Sequence, residues 1–170
     1  MALLSWQHDA LRELLDELPA SVLDDGVGDR ELARAVRATL GLELCWHHAD
    51  EETVLLPRLV GFSSALDEMC ASCRAHHRTV EAAALDVADL ARAICLEGFA
   101  DPVDWREACE ALRLVLEPAM AFEDDALWPV ARRVLERDDR EDIAATLRAR
   151  AEGRPEHAEL LGPTAASSTS

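Results

Sequence analysis

The 170-residue chain contains no lysine and no tyrosine, only four tryptophans and three phenylalanines, and seven residues each of glycine and proline. Without tyrosine, chemistry that needs a tyrosyl radical or a phenolic acid is excluded. Scarce glycine and proline, with Ala, Leu, Glu and Arg dominant, mark a helical composition. Positive charge is also short. Seventeen arginines stand against 34 acids for a net charge of −17, which repels nucleic-acid phosphates and anionic membrane surfaces alike. Arginine as the sole cationic aliphatic side chain reads as the mark of a GC-rich genome and not of a mechanism. No apolar stretch reaches the length needed to span a bilayer. The opening "MALLSWQHDALRELL" is interrupted by Asp9, Arg12 and Glu13, so it does not read as a signal peptide. Five cysteines, an odd number in a chain expected in the cytoplasm, read as reduced thiols.

What is present is apolar periodicity. Nearly half the residues, 49%, are hydrophobic and they recur at helical spacing without strand alternation. A first helix is expected from about Leu3 to Leu18, and a second from the Asp29 N-cap to about Val60. Ser64 with Asp67 resembles a capping box, opening a third helix that Gly98 stops after about Leu96. Asp101-Pro102 supplies a cap and an N1 proline for a fourth, running to about Glu136, with Pro118 expected to kink or split it. A shorter fifth helix is expected after "RDDRED", ending before Gly153. The expected fold is all-α: an antiparallel up-down four-helix bundle with a short extra C-terminal helix. It would cover residues 1–152 and leave 153–170 as a disordered tail.

A weak internal repeat relates "EETVLLPRL" (51–59) to "EDDALWPVA" (123–131), with acid pairs and proline in register. At about 100° per residue, His47 and Glu51 share a stripe with Val36, Leu40, Leu44, Val54 and Leu55, and Arg58 falls at its end. His48 and Glu52 lie about 100° round and are expected to flank the stripe, facing solvent. His8 aligns with Leu4, Leu11, Leu15 and Leu18. His77 aligns with Leu66, Cys70, Cys73 and Val80, leaving His76 to the side. Glu123 aligns with Leu112, Leu116, Ala119, Ala126 and Val130, and Asp124 lies off the stripe unless Pro118 alters the register. Cys45, Cys95 and Cys109 read as small core residues. Buried carboxylates need positive charge close by, and a metal pair supplies it. The candidate ligands are His8, His47, Glu51, Cys73, His77 and Glu123, with Asp124 as the rival of Glu123.

Through His8 in "HDALRELL", His47 and Glu51 in "HHADEETVLLP", His77 in "HHRTV" and Glu123 in "EDDALWP", the chain resembles a hemerythrin-type (HHE cation-binding) domain over about residues 3–136. The resemblance implies a non-haem di-iron centre inside the bundle. His8 and His47 would bind one iron, His77 the other, and Glu51 and Glu123 (or Asp124) would bridge. Two positions depart from the family pattern. Cys73 stands where a histidine usually precedes His77 by four residues, and Ala119 where one usually precedes the final proline by ten. Cys73, alone or with Cys70, would then be a ligand, or the second position would be vacant or filled by His76 or water. Alternatively Cys70 and Cys73 would form a redox-sensing thiol pair. The implied function is an iron protein that binds or senses O₂, NO or peroxide. The alternative is an O₂-activating oxidase or oxygenase acting on a small organic substrate beside Ala119, and a third reading is a metal-free bundle acting by protein contacts. The sequence assigns no oligomeric state.

Overall fold

The computed structural model describes residues 2–20, 22, 23 and 25–154. The expected disordered tail therefore lies almost entirely outside the described residues. Helix α1 is Ala2–Glu17. The second rod, 30–58, is composite: α2 Arg30–Ala38, a π turn Thr39–Glu43, α3 Leu44–Asp50, a second π turn Glu51–Leu55 and a 3₁₀ turn Leu56–Arg58. Helix α4, Ser64–Glu97, is the longest. The fourth rod, 102–134, is α5 Pro102–Phe122, a third π turn Glu123–Leu127 and α6 Trp128–Val134. Helix α7 is Arg137–Glu152. The fold is all-α. Among the described residues the only β features are isolated bridges joining Val22 to Gly28 and Val27 to Phe99. No described helix is long and apolar enough to cross a membrane.

Local signals explain most boundaries. The Asp29 carboxylate accepts from the amides of Glu31 and Leu32, and Asp101 accepts from those of Val103 and Asp104 ahead of Pro102, satisfying helix-start donors. Gly98 ends α4 at φ +78, a left-handed geometry that glycine adopts without steric cost. The α4 cap is Ser63, which accepts from the Leu66 amide, and not Ser64; Asp67 turns back to the Gly61 amide instead. Pro118 sits inside α5 without splitting it. The fifth helix starts at Arg137, so "RDDRED" forms its first turns, with Asp138 and Asp139 at the favourable end of the helix dipole.

Two apolar clusters fill the bundle. One gathers Leu11, Leu15, Leu18, Val36, Leu40, Val87, Ile94, Trp105, Leu112 and Leu116; the other gathers Leu4, Leu55, Leu59, Leu66, Leu127, Trp128, Ile143 and Leu147. Along each rod the switch from one cluster to the other occurs at a polar residue: between Leu4 and Leu11, Leu44 and Val54, Cys73 and Val80, Met120 and Leu127. Antiparallel alternation puts these four switches at one level, so His8, His47, Glu51, His77 and Glu123, all buried, form a polar layer across the bundle.

Helix α7 covers the second cluster with Ile143 and Leu147. It is fixed by ionic contacts to the second rod: Arg58 donates to Asp139 at 2.9 Å, and Asp50, 1% exposed, receives Arg150 at 3.3 Å and Arg154 at 2.7 Å. Asp50 sits one residue from the polar layer, so α7 braces the site end of the bundle. Replacing Asp50→Asn removes the charge both arginines answer, and urea unfolding should show a loss of about 1–3 kcal/mol.

Candidate metal centre

Each of the three inward histidines presents Nε2 to the core and has Nδ1 beside an acceptor. Nδ1 of His8 lies 3.3 Å from Asp124 Oδ2, that of His47 3.0 Å from Gln7 Oε1, and that of His77 2.9 Å from Glu52 Oε1. Protons on Nδ1 satisfy these contacts and leave Nε2 lone pairs aimed inward, the arrangement that orients imidazole ligands.

The inward atoms fall into two groups that could hold a cation: Glu51, Cys73, His77 and Glu123, and His8, His47 and Glu123, the atoms of each lying within 4.8 Å of one another. Glu123 belongs to both. Its Oε2 is 3.1 Å from His8 Nε2 and 3.8 Å from His47 Nε2. Its Oε1 is 3.3 Å from His77 Nε2 and 3.6 Å from Cys73 Sγ. Glu51 works through one oxygen: Oε2 is 3.1 Å from His77 Nε2 and 3.8 Å from His47 Nε2, while Oε1 accepts the Trp128 indole N–H at 2.9 Å. Trp128 also stacks on His8, with ring centroids 4.6 Å apart. One side chain thus orients a ligand in each group.

The donor chemistry fits a cation. His8 Nε2 and His47 Nε2 stand 3.0 Å apart with both Nδ1 atoms engaged outward, so two lone pairs converge. Only a proton or a cation between them removes the repulsion. Without a metal, protons take that part. Burial disfavours charge on His47, but Glu51 and Glu123 outweigh it and raise its pKa. Burial likewise opposes charge on His77, yet hydrogen bonds with Cys73, Glu123 and Glu51 hold it up to about 12. For Glu123, burial alone would raise the pKa, but contacts with His47, His77 and His8 hold it well below the usual carboxylate range. Burial pushes the Cys73 thiol up to about 12, so this sulfur becomes a thiolate only when a cation replaces its proton.

The structure brings together six of the seven candidates. Asp124 stands behind His8, where it also receives Arg12 at 2.5 Å. His76 lies edge-on to Phe122, with centroids 5.1 Å apart, and belongs to neither group. Cys70 is packed in the apolar cluster. Of the three other cysteines only Cys109 is buried; Cys45 is exposed and Cys95 half-buried. His48 was expected to face solvent but is 5% exposed. It stacks on His77 at 4.0 Å and 8°, donates Nδ1–H to Glu81 at 2.8 Å, and is pushed down to about 2 by burial and by the charges of His77 and His47. The π turn at Thr39–Glu43 spreads one turn over an extra residue before α3, so His47 and His48 straddle the inward direction.

The supporting residues Glu52 and Asp124 share a sequence signal. Each directly follows an inward carboxylate, in both halves of the repeat, and each holds Nδ1 of a histidine on another helix. The π turns coincide with these acid pairs. The Leu56 and Trp128 amides bond back five residues to Glu51 and Glu123, and Pro57 and Pro129 follow, unable to donate to an ordinary helical ladder. The extra residue also moves the later stripe. Leu127, Trp128 and Ala131 are buried, and not Ala126 and Val130; Leu56 and Leu59 are buried while Arg58 is exposed.

Comparison with protein families matches residues 2–131 to the hemerythrin HHE cation-binding domain. No curated protein and no solved structure matches the chain. The matched span contains every residue of both donor groups and stops before α7 begins.

Two outcomes test this geometry. Trp128→Phe removes the donor to Glu51 Oε1, and cation affinity, measured by chelator competition, should fall about 10- to 100-fold while far-UV helicity persists. Cation entry must also displace protons from His77 and Cys73, both held up to about 12. Affinity should therefore rise with pH between about 6 and 8, by roughly tenfold per unit for each proton released. Titration calorimetry in buffers of different ionisation heat checks this; a pH-independent affinity would contradict it.

Proposed function

This chain belongs to the hemerythrin HHE cation-binding domain family, and we propose that its cation centre contains non-haem iron and binds or senses O₂, NO or peroxide inside the bundle. The observation that carries the reading is the inequality of two donor groups sharing Glu123: four protein donors in one, three in the other. A four-donor set tends to close a metal site, whereas three protein donors leave a position for an exogenous ligand. The His8–His47–Glu123 group is thus the place where a small ligand would enter. Bound there, iron supplies an oxophilic, redox-active position. The chain's own residues do the rest. Gln7, Asp124 and Glu52 hold the imidazole rings, Trp128 fixes Glu51, and apolar side chains above and below the polar layer limit access to small molecules.

This reading is favoured over an oxidase or oxygenase acting on an organic substrate. Ala119, where room for such a substrate was expected, is 5% exposed and belongs to the apolar cluster that includes Leu40, Leu116 and Met120. The five free thiols suit a reducing compartment such as the cytoplasm.

The test is anaerobic reconstitution with Fe(II), followed by metal analysis and NO addition. Iron should be retained, and NO should produce a new absorption band and an altered paramagnetic signal. His47→Ala should weaken iron binding at least about tenfold. Failure to retain iron after anaerobic reconstitution would remove the proposal.

A further inference from the structure

We propose that the two donor groups take different ions: the group containing Cys73 is a closed zinc-type site, and only the His8–His47–Glu123 group takes iron. The inference rests on the reading above and deepens it, assigning each position its own cation chemistry.

Three observations carry it. First, the donor sets differ in softness. One offers two nitrogens and a carboxylate oxygen, the other a sulfur, a nitrogen and two carboxylate oxygens. A thiolate favours a thiophilic ion, and mixed sulfur and nitrogen donors are characteristic of zinc.

Second, the spacing suits a small tetrahedral ion. With Zn–N and Zn–O distances of about 2.0–2.2 Å and Zn–S of about 2.3 Å, tetrahedral donors stand about 3.4 Å apart for N and O and about 3.6 Å apart where sulfur is one of the pair. The separations from His77 Nε2 to Glu51 Oε2 and Glu123 Oε1 are 3.1 and 3.3 Å. Those from Cys73 Sγ to His77 Nε2 and Glu123 Oε1 are 3.3 and 3.6 Å. Four of the six donor separations therefore match those of a tetrahedral shell, and the other two, from Glu51 to Cys73 and to Glu123, lie within 4.8 Å.

Third, this group is fully enclosed. Glu51 and Cys73 are 0% exposed and His77 is 1% exposed. His48 stacks on one face of His77, and Trp128 occupies the second oxygen of Glu51. Two divalent ions set four positive charges against three anionic donors, Glu51, Glu123 and the Cys73 thiolate, and the protons held by Cys73 and by the imidazole nitrogens that face the ions leave to solvent. The closed ion would then act through Glu123, drawing charge from the carboxylate that the iron shares and so raising the electrophilicity of the open position.

The experiment uses the full chain stripped of metal under anaerobic conditions. One equivalent of Zn(II) is added, then Fe(II), and both metals are counted per chain. One zinc and one iron should be retained per chain, the zinc at the group containing Cys73 and the iron at the His8–His47–Glu123 group. Cys73→Ser should weaken zinc binding more than about tenfold with iron uptake at the other position retained, and His8→Ala should do the reverse. Should Cys73→Ser fail to fold, Co(II) added to the wild-type chain gives an independent reading: one equivalent should show an intense near-ultraviolet thiolate band and tetrahedral visible bands. Two irons bound with zinc unable to displace either would overturn this inference and leave the iron centre standing. So would zinc affinity that is indifferent to Cys73→Ser, or a Co(II) spectrum without the thiolate band. Absence of any metal binding would overturn both.

Discussion

The structure depends on the charge of one buried carboxylate. Glu123 is 2% exposed and faces three imidazoles and a thiol through its two oxygens. A carboxylate in that position costs several kcal/mol unless positive charge answers it. The bundle arranges that answer from every side, with His8 from α1, His47 from α3 and His77 from α4. The polar layer interrupts an otherwise continuous apolar interior, and the two clusters beside it fix its level. Stability and function therefore compete in this layer. Replaced by leucines, it would pack as ordinary core; kept polar, it holds the bundle ready for a cation.

The local backbone serves the same end. Inward carboxylates open the π turns at Glu51–Leu55 and Glu123–Leu127, and a proline closes the ladder six residues after each. The acid that follows then reaches sideways to another helix, Glu52 to His77 and Asp124 to His8. Each half of the internal repeat thus supplies one inward carboxylate and one support for an inward histidine elsewhere. That exchange couples α1 to the fourth rod and α4 to the second, so the site and the bundle's pairing reinforce each other. Helix α7, outside the span matched by the family, braces the same end through Asp50.

This chain belongs to the hemerythrin HHE cation-binding family, and it departs at two positions, Cys73 and Ala119, from the ligand pattern that the resemblance implies. Cys73 stands where that pattern has a histidine, and its sulfur lies within the first donor group. Ala119 lies in the apolar core and leaves no polar group there. In the reading proposed above, the thiol position is the closed one and the histidine pair with Glu123 the open one. On that reading a small ligand would be recognised at one ion, with the other setting its electronic character.

Much of this was written in the sequence, because helical periodicity and buried charge are local facts. Helix number, the caps at Asp29, Gly98 and Asp101, and the inward direction of His8, His47, Glu51, Cys73, His77 and Glu123 all follow from spacing and residue type. Tertiary structure decided what a uniform 100° rotation cannot express. The π turns each insert a residue, so His48 was drawn inside and the stripe after Glu123 moved to Leu127, Trp128 and Ala131. It also decided the supporting set of Gln7, Glu52, Asp124 and Trp128, whose partners lie on other helices. Whether a polar side chain binds an ion or steadies the residue that does depends on which rod stands opposite, and only the packed bundle determines that.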